Sequence, residues 1–197
     1  MTRDQTEINK SLILDHGVSL FMRKGYHGTG LSEVLAAARV PKGSFYYYFA
    51  SKEEFGVEVV RHYIQPFIDE LTRYLGQDGI GAMEALEDYF RGLALDLDSK
   101  GFEGGCLLGN LMGEIGDTSD MARAALRSAV DRYRDLLETA LLRAQREGSA
   151  RKDKSARAMA DLLIDAWQGA LLRMKLERSG GPLKAFLEEV LLGYCKA

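Results

Sequence analysis

Across 197 residues, apolar side chains make up 46% and charged ones 28%, the balance of a globular chain rather than a disordered one. Two cysteines exclude a disulfide framework, and neither the opening MTRDQTEINKS nor any later apolar run has the character of a leader or a membrane span, so the sequence predicts a cytoplasmic protein. The formal charge of −3 divides into +2 over residues 1–50 and −5 over the rest, a mildly basic head on an acidic body, which is compatible with a polyanionic partner without requiring one.

Helical periodicity runs through the chain, and no alternating strand pattern interrupts it. Residues 7–24 carry Ile8, Leu12, Val18, Phe21 and Met22 as a helical apolar stripe that Gly25 ends. A short helix follows from about Leu31, with Thr29 as its expected N-cap. Pro41 marks a turn, and 42–49 reads as a second short helix. A longer helix begins at Ser51, where the hydroxyl and Glu54 have the spacing of a capping box, and Pro66 is expected to kink or restart it. Beyond Gly76 the helices lengthen, and are expected at roughly 80–98, 105–115, 119–147, 154–178 and 183–195. The fold class is therefore all-α. Residues 1–50 form a head of short helices and 51–197 a larger helical body.

The head contains the segment RVPKGSFYYYFASKEEF, with three consecutive tyrosines. Neighbours on a helix point about 100° apart, so the three cannot share one core. With Phe45 at 0° on a helix, Phe49 falls at about 40°, Gly43 at about 160°, Tyr47 at about 200° and Ser44 at about 260°. Tyr47 thus opposes the apolar side, and Tyr46 and Tyr48 take its shoulders. The outward surface offers hydroxyl donors, a helix start that favours anions, and a glycine that permits close approach. Short helix, turn and short helix, sealed by Val34, Leu35, Ala38, Val40, Phe45 and Phe49, has the pattern of a helix-turn-helix, whose second helix reads the major groove.

FMRKGYHGTGLSEVLAAARVPKGSFYYYFASKEEF resembles the DNA-binding domain of TetR-family transcriptional regulators. The resemblance implies a three-helix head with a helix-turn-helix, followed by a helical effector-binding and dimerisation body. It implies DNA contacts by Lys42, Gly43, Ser44, Tyr46, Tyr47 and Tyr48, with Thr29 and Lys52 on the phosphate backbone. Tyr48 replaces the histidine common at that place. Repression, with double-stranded operator DNA as partner, is the implied activity.

In the body, GFEGGCLLGNLMGEIGD is rich in glycine but lacks the GK[ST] of a phosphate-binding loop and follows no strand, which argues against a nucleotide site. Gly104 and Gly105 are expected to lead into a helix with Cys106 in its first turn, where the macrodipole favours thiolate. A free cysteine is also a common small core residue, so position alone leaves both readings open. GCLLGNLMGEIGD, together with AWQGALLRMKLERSGGPL, is similar to the TetR subgroup that includes the acrylate-responsive and N-ethylmaleimide-reductase repressors. That resemblance implies a small-molecule effector (a reactive carbonyl, an electrophile or a small carboxylate) in a pocket with Cys106, Asn110, Trp167 and Lys175. The alternative is an unrelated apolar effector, with Cys106 only structural. Trp167 shares an apolar face with Met159, Leu162, Leu163, Ala166, Ala170 and Met174, and so also suits plain core.

Wide apolar faces on the last two long helices, including Leu183, Phe186, Leu187, Val190, Leu191 and Tyr194, are expected to build a homodimer. His16, His27 and His62 are isolated and lack metal-ligand spacing, so neither metal nor cofactor is expected. A thiol enzyme would need a general base near Cys106, and none is close in sequence. A helical adaptor with protein-binding tyrosines is separated from a regulator by salt-dependent DNA binding.

Overall fold

A computed structural model describes residues 3–197, without the side chains of Arg3, Asp4 and Lys42. Helix α1 (Arg3–Lys24) is followed by α2 (Leu31–Ala37) and a 3₁₀ turn, Lys42–Ser44, that leads into the single-turn α3 (Phe45–Tyr48). The body comprises α4 (Lys52–Leu75), α5 (Ala82–Ser99), α6 (Leu107–Ile115), α7 (Asp120–Glu147) and α8 (Ala156–Glu177). It closes with α9 (Gly181–Ala185), which continues as a π-helical stretch, Phe186–Cys195. Among the described residues there is no strand, only an isolated antiparallel bridge between Ala150 and Lys196. The all-α expectation holds.

Two compact units divide the chain. The first runs up to Gln65 and includes Cys106–Ala129; the second comprises Pro66–Gly105 and Val130–Ala197. The core of the first unit is aromatic. Phe55 of α4 lies 5.6 Å from Phe21, 5.8 Å from Phe45 and 5.0 Å from Phe49, between ring centroids. Phe21, Phe45, Phe49 and Phe55 are each buried, and gathering such rings is worth several kcal/mol of the head's stability, at roughly 1.5–3 kcal/mol per buried side chain. Gly17 lets α1 and α4 approach closely, because a Cβ there would stand 2.5 Å from the Phe55 ring. In the second unit Phe90, Trp167 and Phe186 form a triangle of rings 4.9–5.2 Å apart. Arg143 donates to the carbonyls of Leu75 and Ile80 and pairs with Glu147, whose other oxygen accepts the Ala82 N–H. One ion pair thereby satisfies both ends of the α4–α5 turn.

Several local expectations are corrected. The core stripe of α1 is Ile13, Leu14, Gly17, Leu20 and Phe21, whereas Ile8 and Leu12 are exposed. Apolar residues early in α1 are spaced for a helix but have nothing above them to cover that face. Thr29 does not cap α2. Gly30 occupies that place, and the Thr29 hydroxyl donates 2.7 Å to the Gly25 carbonyl instead. The Ser51 half of the capping box is present, with Glu54 N–H donating to Ser51 Oγ, while the Glu54 carboxylate reaches one residue further back and accepts the Ala50 N–H. Helix α4 continues through Pro66 rather than restarting. The stripe Leu183, Phe186, Leu187 and Leu191 is buried within its own chain, against α8 and α5, and is not a free dimer face.

Candidate nucleic-acid interface

The turn between α2 and α3 is built by backbone hydrogen bonds. Arg39 adopts a left-handed conformation, φ 56°, while its N–H reaches the Ala36 carbonyl and the Val40 N–H the Leu35 carbonyl. This is a Schellman stop with arginine where glycine is usual. Pro41 then starts the 3₁₀ turn, accepting from the Ser44 N–H at 2.9 Å. Phe45 and Phe49 anchor α3 in the aromatic core, one on either end of its single turn. What remains faces outward: Tyr46 and Tyr47 are 73% and 71% exposed, unusually high for aromatic side chains. Gly43 is open, with nothing within 4 Å of where a Cβ would stand, and Ser44 is half-buried beside it. Tyr48 is half-buried; its hydroxyl oxygen accepts from Asn9 Nδ2 at 3.4 Å, leaving its own proton available to a further acceptor. The Lys42 side chain lies outside the described residues.

Lys52, at the start of α4, places its ammonium 4.6 Å over the Tyr26 ring. Burial pulls its pKa below the ordinary lysine value, an effect that the nearby Glu114 carboxylate opposes. Burial also raises the Tyr26 hydroxyl pKa, with Glu53 and Glu114 adding to it. Thr29 is 1% exposed, so its contribution is to hold the turn closed after α1 rather than to present a hydroxyl. His27 is exposed, edge-on to Tyr26. His62 pairs with Asp15 at 2.7 Å between α4 and α1. Sequence reasoning missed two residues here. Glu114 receives the N–H groups of Tyr26 and His27, each at 2.7 Å, and no local pattern in α6 points to a partner 87 residues away. Arg39 was hidden because a left-handed residue announces itself only when it is glycine.

The expected effector residues divide between the units. Cys106 is the N-cap of α6, extended at φ −107° and ψ 125°, one residue before the helix and not within its first turn. Two left-handed glycines, Gly104 and Gly105, bring the chain to it, and its carbonyl accepts the Asn110 N–H at 3.1 Å. The difference is one position: the chain is still extended at Cys106 and turns helical at Leu107. Asn110 Nδ2 lies 3.9 Å from the Met22 sulfur. In the second unit Trp167 is 7% exposed between Phe90 and Phe186, and Lys175 is exposed near the end of α8. Cys195, by contrast with the half-buried Cys106, is fully buried, and burial pushes its thiol up to about 11. Among the described residues no group of three His, Cys, Asp or Glu is arranged to hold a metal, and no helix is long and apolar enough to cross a membrane.

Residues 13–59 match the family model of bacterial regulatory proteins, tetR family, and residues 82–190 match the tetracyclin repressor-like C-terminal domain. The chain is 34% identical to the HTH-type transcriptional repressor DhaR of Mycobacterium sp. (strain GP1), over 94% of this chain and 91% of that protein. It is 35% identical to the transcriptional regulator AcuR of Cereibacter sphaeroides, over 86% of this chain and 78% of that one. The crystal structure of reduced Escherichia coli NemR superposes with a TM-score of 0.87 at 30% identity, covering 95% of this chain and 96% of the other. These relatives are regulators and repressors rather than enzymes.

Proposed function

Because this chain belongs to the TetR family of DNA-binding transcriptional regulators, we propose that it is a homodimeric repressor that leaves a palindromic operator when a small effector binds near Cys106. The observation that carries the DNA half is the outward pair Tyr46 and Tyr47 on a turn of helix bolted to the core by Phe45 and Phe49. Rigid aromatic hydroxyls so placed suit thymine methyls, sugars and phosphates in a major groove. Gly43 admits the phosphate backbone, Ser44 and Tyr48 add hydroxyls, and Lys42 and Lys52 add charge. Residues 1–50 carry this reading function and 51–197 the effector and dimer functions. The protein acts in the cytoplasm, where its DNA is.

The dimer face is the outer side of α8. Leu162, Leu172 and Leu176 are exposed there, with Gly169 between them, all within about 80° of one another around the helix. Two copies related by a two-fold axis would set their recognition helices about one DNA turn apart, roughly 34–36 Å, and so read a palindrome.

The effector reading is a reactive carbonyl, electrophile or small carboxylate, with Cys106 at the N-cap of α6 and Asn110 within α6 as the candidates of the first unit, and Trp167 and Lys175 as those of the second. The competing reading is an apolar effector with a structural Cys106, the common place of a free cysteine. Titration of the protein onto its own upstream DNA, with and without electrophiles, tests both. Tyr47→Ala and Lys42→Ala are each expected to weaken operator binding by about 1–3 kcal/mol with the dimer intact. Cys106→Ser is expected to abolish release by electrophiles, and Lys175→Ala to blunt release by small acids. Full release of the serine variant by every electrophile would remove the thiol from the response and leave the small-acid and apolar readings.

A further inference from the structure

Glu114 stands in the last turn of α6, where a carboxylate meets the negative end of the helix dipole and is disfavoured. Its compensation lies in another element. One oxygen accepts the Tyr26 N–H and the other the His27 N–H, both at 2.7 Å, so a single carboxylate closes over the backbone just beyond α1. Bonds of N–H groups to an ionised acceptor are the short, strong kind. The approach is cut to fit. Gly25 is left-handed, φ 74°, and a Cβ on it would fall 2.7 Å from the nearer Glu114 oxygen. The Tyr26 ring is in turn pressed toward Gly56 of α4, where a Cβ would come within 3.1 Å, and carries the Lys52 ammonium on its face. Five residues after Glu114, the Ser119 hydroxyl donates to Glu53 of α4 while accepting the Ala122 N–H at the start of α7.

We propose that Glu114 is a positioning residue for operator recognition: its carboxylate fixes the Tyr26–His27 backbone, and through it the Tyr26–Lys52 stack, so that α6 and the DNA-reading head hold one geometry. The inference rests on the DNA-binding reading above and deepens it. Glu114 acts through the turn and needs no DNA contact of its own. Any displacement of α6 must either carry the α1–α2 turn with it or break both hydrogen bonds, which links the position of the helix that follows Cys106 to the phosphate-facing lysine.

Charge makes the proposal separable from simple electrostatics. Removing a carboxylate near a DNA-binding surface lowers repulsion of phosphate, so a bystander Glu114 predicts equal or tighter DNA binding on neutralisation. A positioning Glu114 predicts the reverse sign. The experiment uses the full-length protein and the isosteric Glu114→Gln, whose amide offers only one acceptor oxygen to two N–H groups. Hydrogen exchange at the Tyr26 and His27 amides is expected to quicken by about tenfold or more, reporting the lost bonds. Affinity for the upstream operator duplex is expected to fall by about tenfold, with affinity for a scrambled duplex falling likewise and the salt slope lowered, because the contact that the clamp positions is the Lys52 ammonium on phosphate. Glu114→Asp keeps the charge but is one methylene short, and is expected to lose operator affinity likewise; it serves where the glutamine variant is poorly folded. Unaltered exchange at both amides, or operator affinity equal to or above that of the unmodified protein, would overturn the proposal. The exchange measurement also stands alone: a protein that never distinguishes operator from scrambled DNA would defeat the functional reading, while the amides would still report whether the clamp exists.

Discussion

Arg39 holds the helix-turn-helix turn in a conformation that costs it energy. At φ 56° its Cβ crowds the following carbonyl, a penalty of roughly 1–2 kcal/mol for a residue other than glycine. The Schellman hydrogen bonds of Arg39 and Val40 to Ala36 and Leu35 keep it there. Replacing it by glycine removes the crowding but adds freedom to the unfolded chain, which takes back about 0.5–1 kcal/mol. The net expectation for Arg39→Gly is a gain of about 0.5–1 kcal/mol, whereas Arg39→Ala keeps the Cβ and is expected to leave stability nearly unchanged. Urea titrations at one protein concentration, extrapolated linearly, measure both. Why keep an arginine in a position that favours glycine? The side chain is exposed, three residues ahead of Lys42 and next to the proposed groove-facing turn. Strain of this kind persists where the side chain has work to do. Both variants are therefore expected to lower the salt slope of DNA binding by about one unit. A glycine variant no more stable than the alanine one would refute the strain argument, and an unchanged slope in both would refute its link to DNA.

The sequence was most informative where burial and local chemistry point the same way. Phe45 and Phe49, four apart, could share only one side of a helix, so the outward throw of Tyr47 followed from angle alone and matches its exposure; angle treated the shoulders Tyr46 and Tyr48 alike, whereas Tyr46 is exposed and Tyr48 half-buried. The Ser51 half of the capping box was equally legible, because both partners lie within four residues. The reading failed where a face had to be assigned to a partner. The Leu183–Leu191 stripe has the periodicity of an interface helix, but periodicity says only that the face is covered. The structure covers it with α5 and α8 of the same chain. The α8 residues Leu162, Leu172 and Leu176 are left exposed. Thr29 failed for a related reason: its hydroxyl had two backbone groups in reach, and the carbonyl of Gly25 won over the N–H groups of α2. Glu114 was beyond any local rule, since its partners are 87 and 88 residues away.

Leu172→Asp with Leu176→Asp is expected to give folded monomers that no longer bind a palindrome, while Leu187→Asp or Leu191→Asp is expected to unfold the second unit; sedimentation with circular dichroism separates the two outcomes. A maleimide is expected to label the half-buried Cys106 well ahead of Cys195, which is buried and has its thiol pushed up to about 11; equal labelling in the native protein would contradict the packing at both sites. Lys52→Ala is expected to weaken operator and scrambled DNA alike and to lower the salt slope by about one unit, and an unaltered slope would remove Lys52 from the phosphate contacts. The final prediction concerns acid. Burial works against ionisation of Glu58, but hydrogen bonds from Arg61 and Lys10 outweigh it and hold the carboxyl below its ordinary 4.5. A group whose pKa is depressed on folding stabilises the native state at all pH above its unfolded value and loses that contribution as pH falls through the folded one. The strap between α1 and α4 should therefore be fully present at neutral pH and fail only below about pH 4.5. Glu58→Gln removes the titrating group, so its stability should fall less steeply than that of the unmodified protein over that acid range. Parallel stability curves for the two proteins below pH 4.5 would show that Glu58 contributes nothing to acid unfolding.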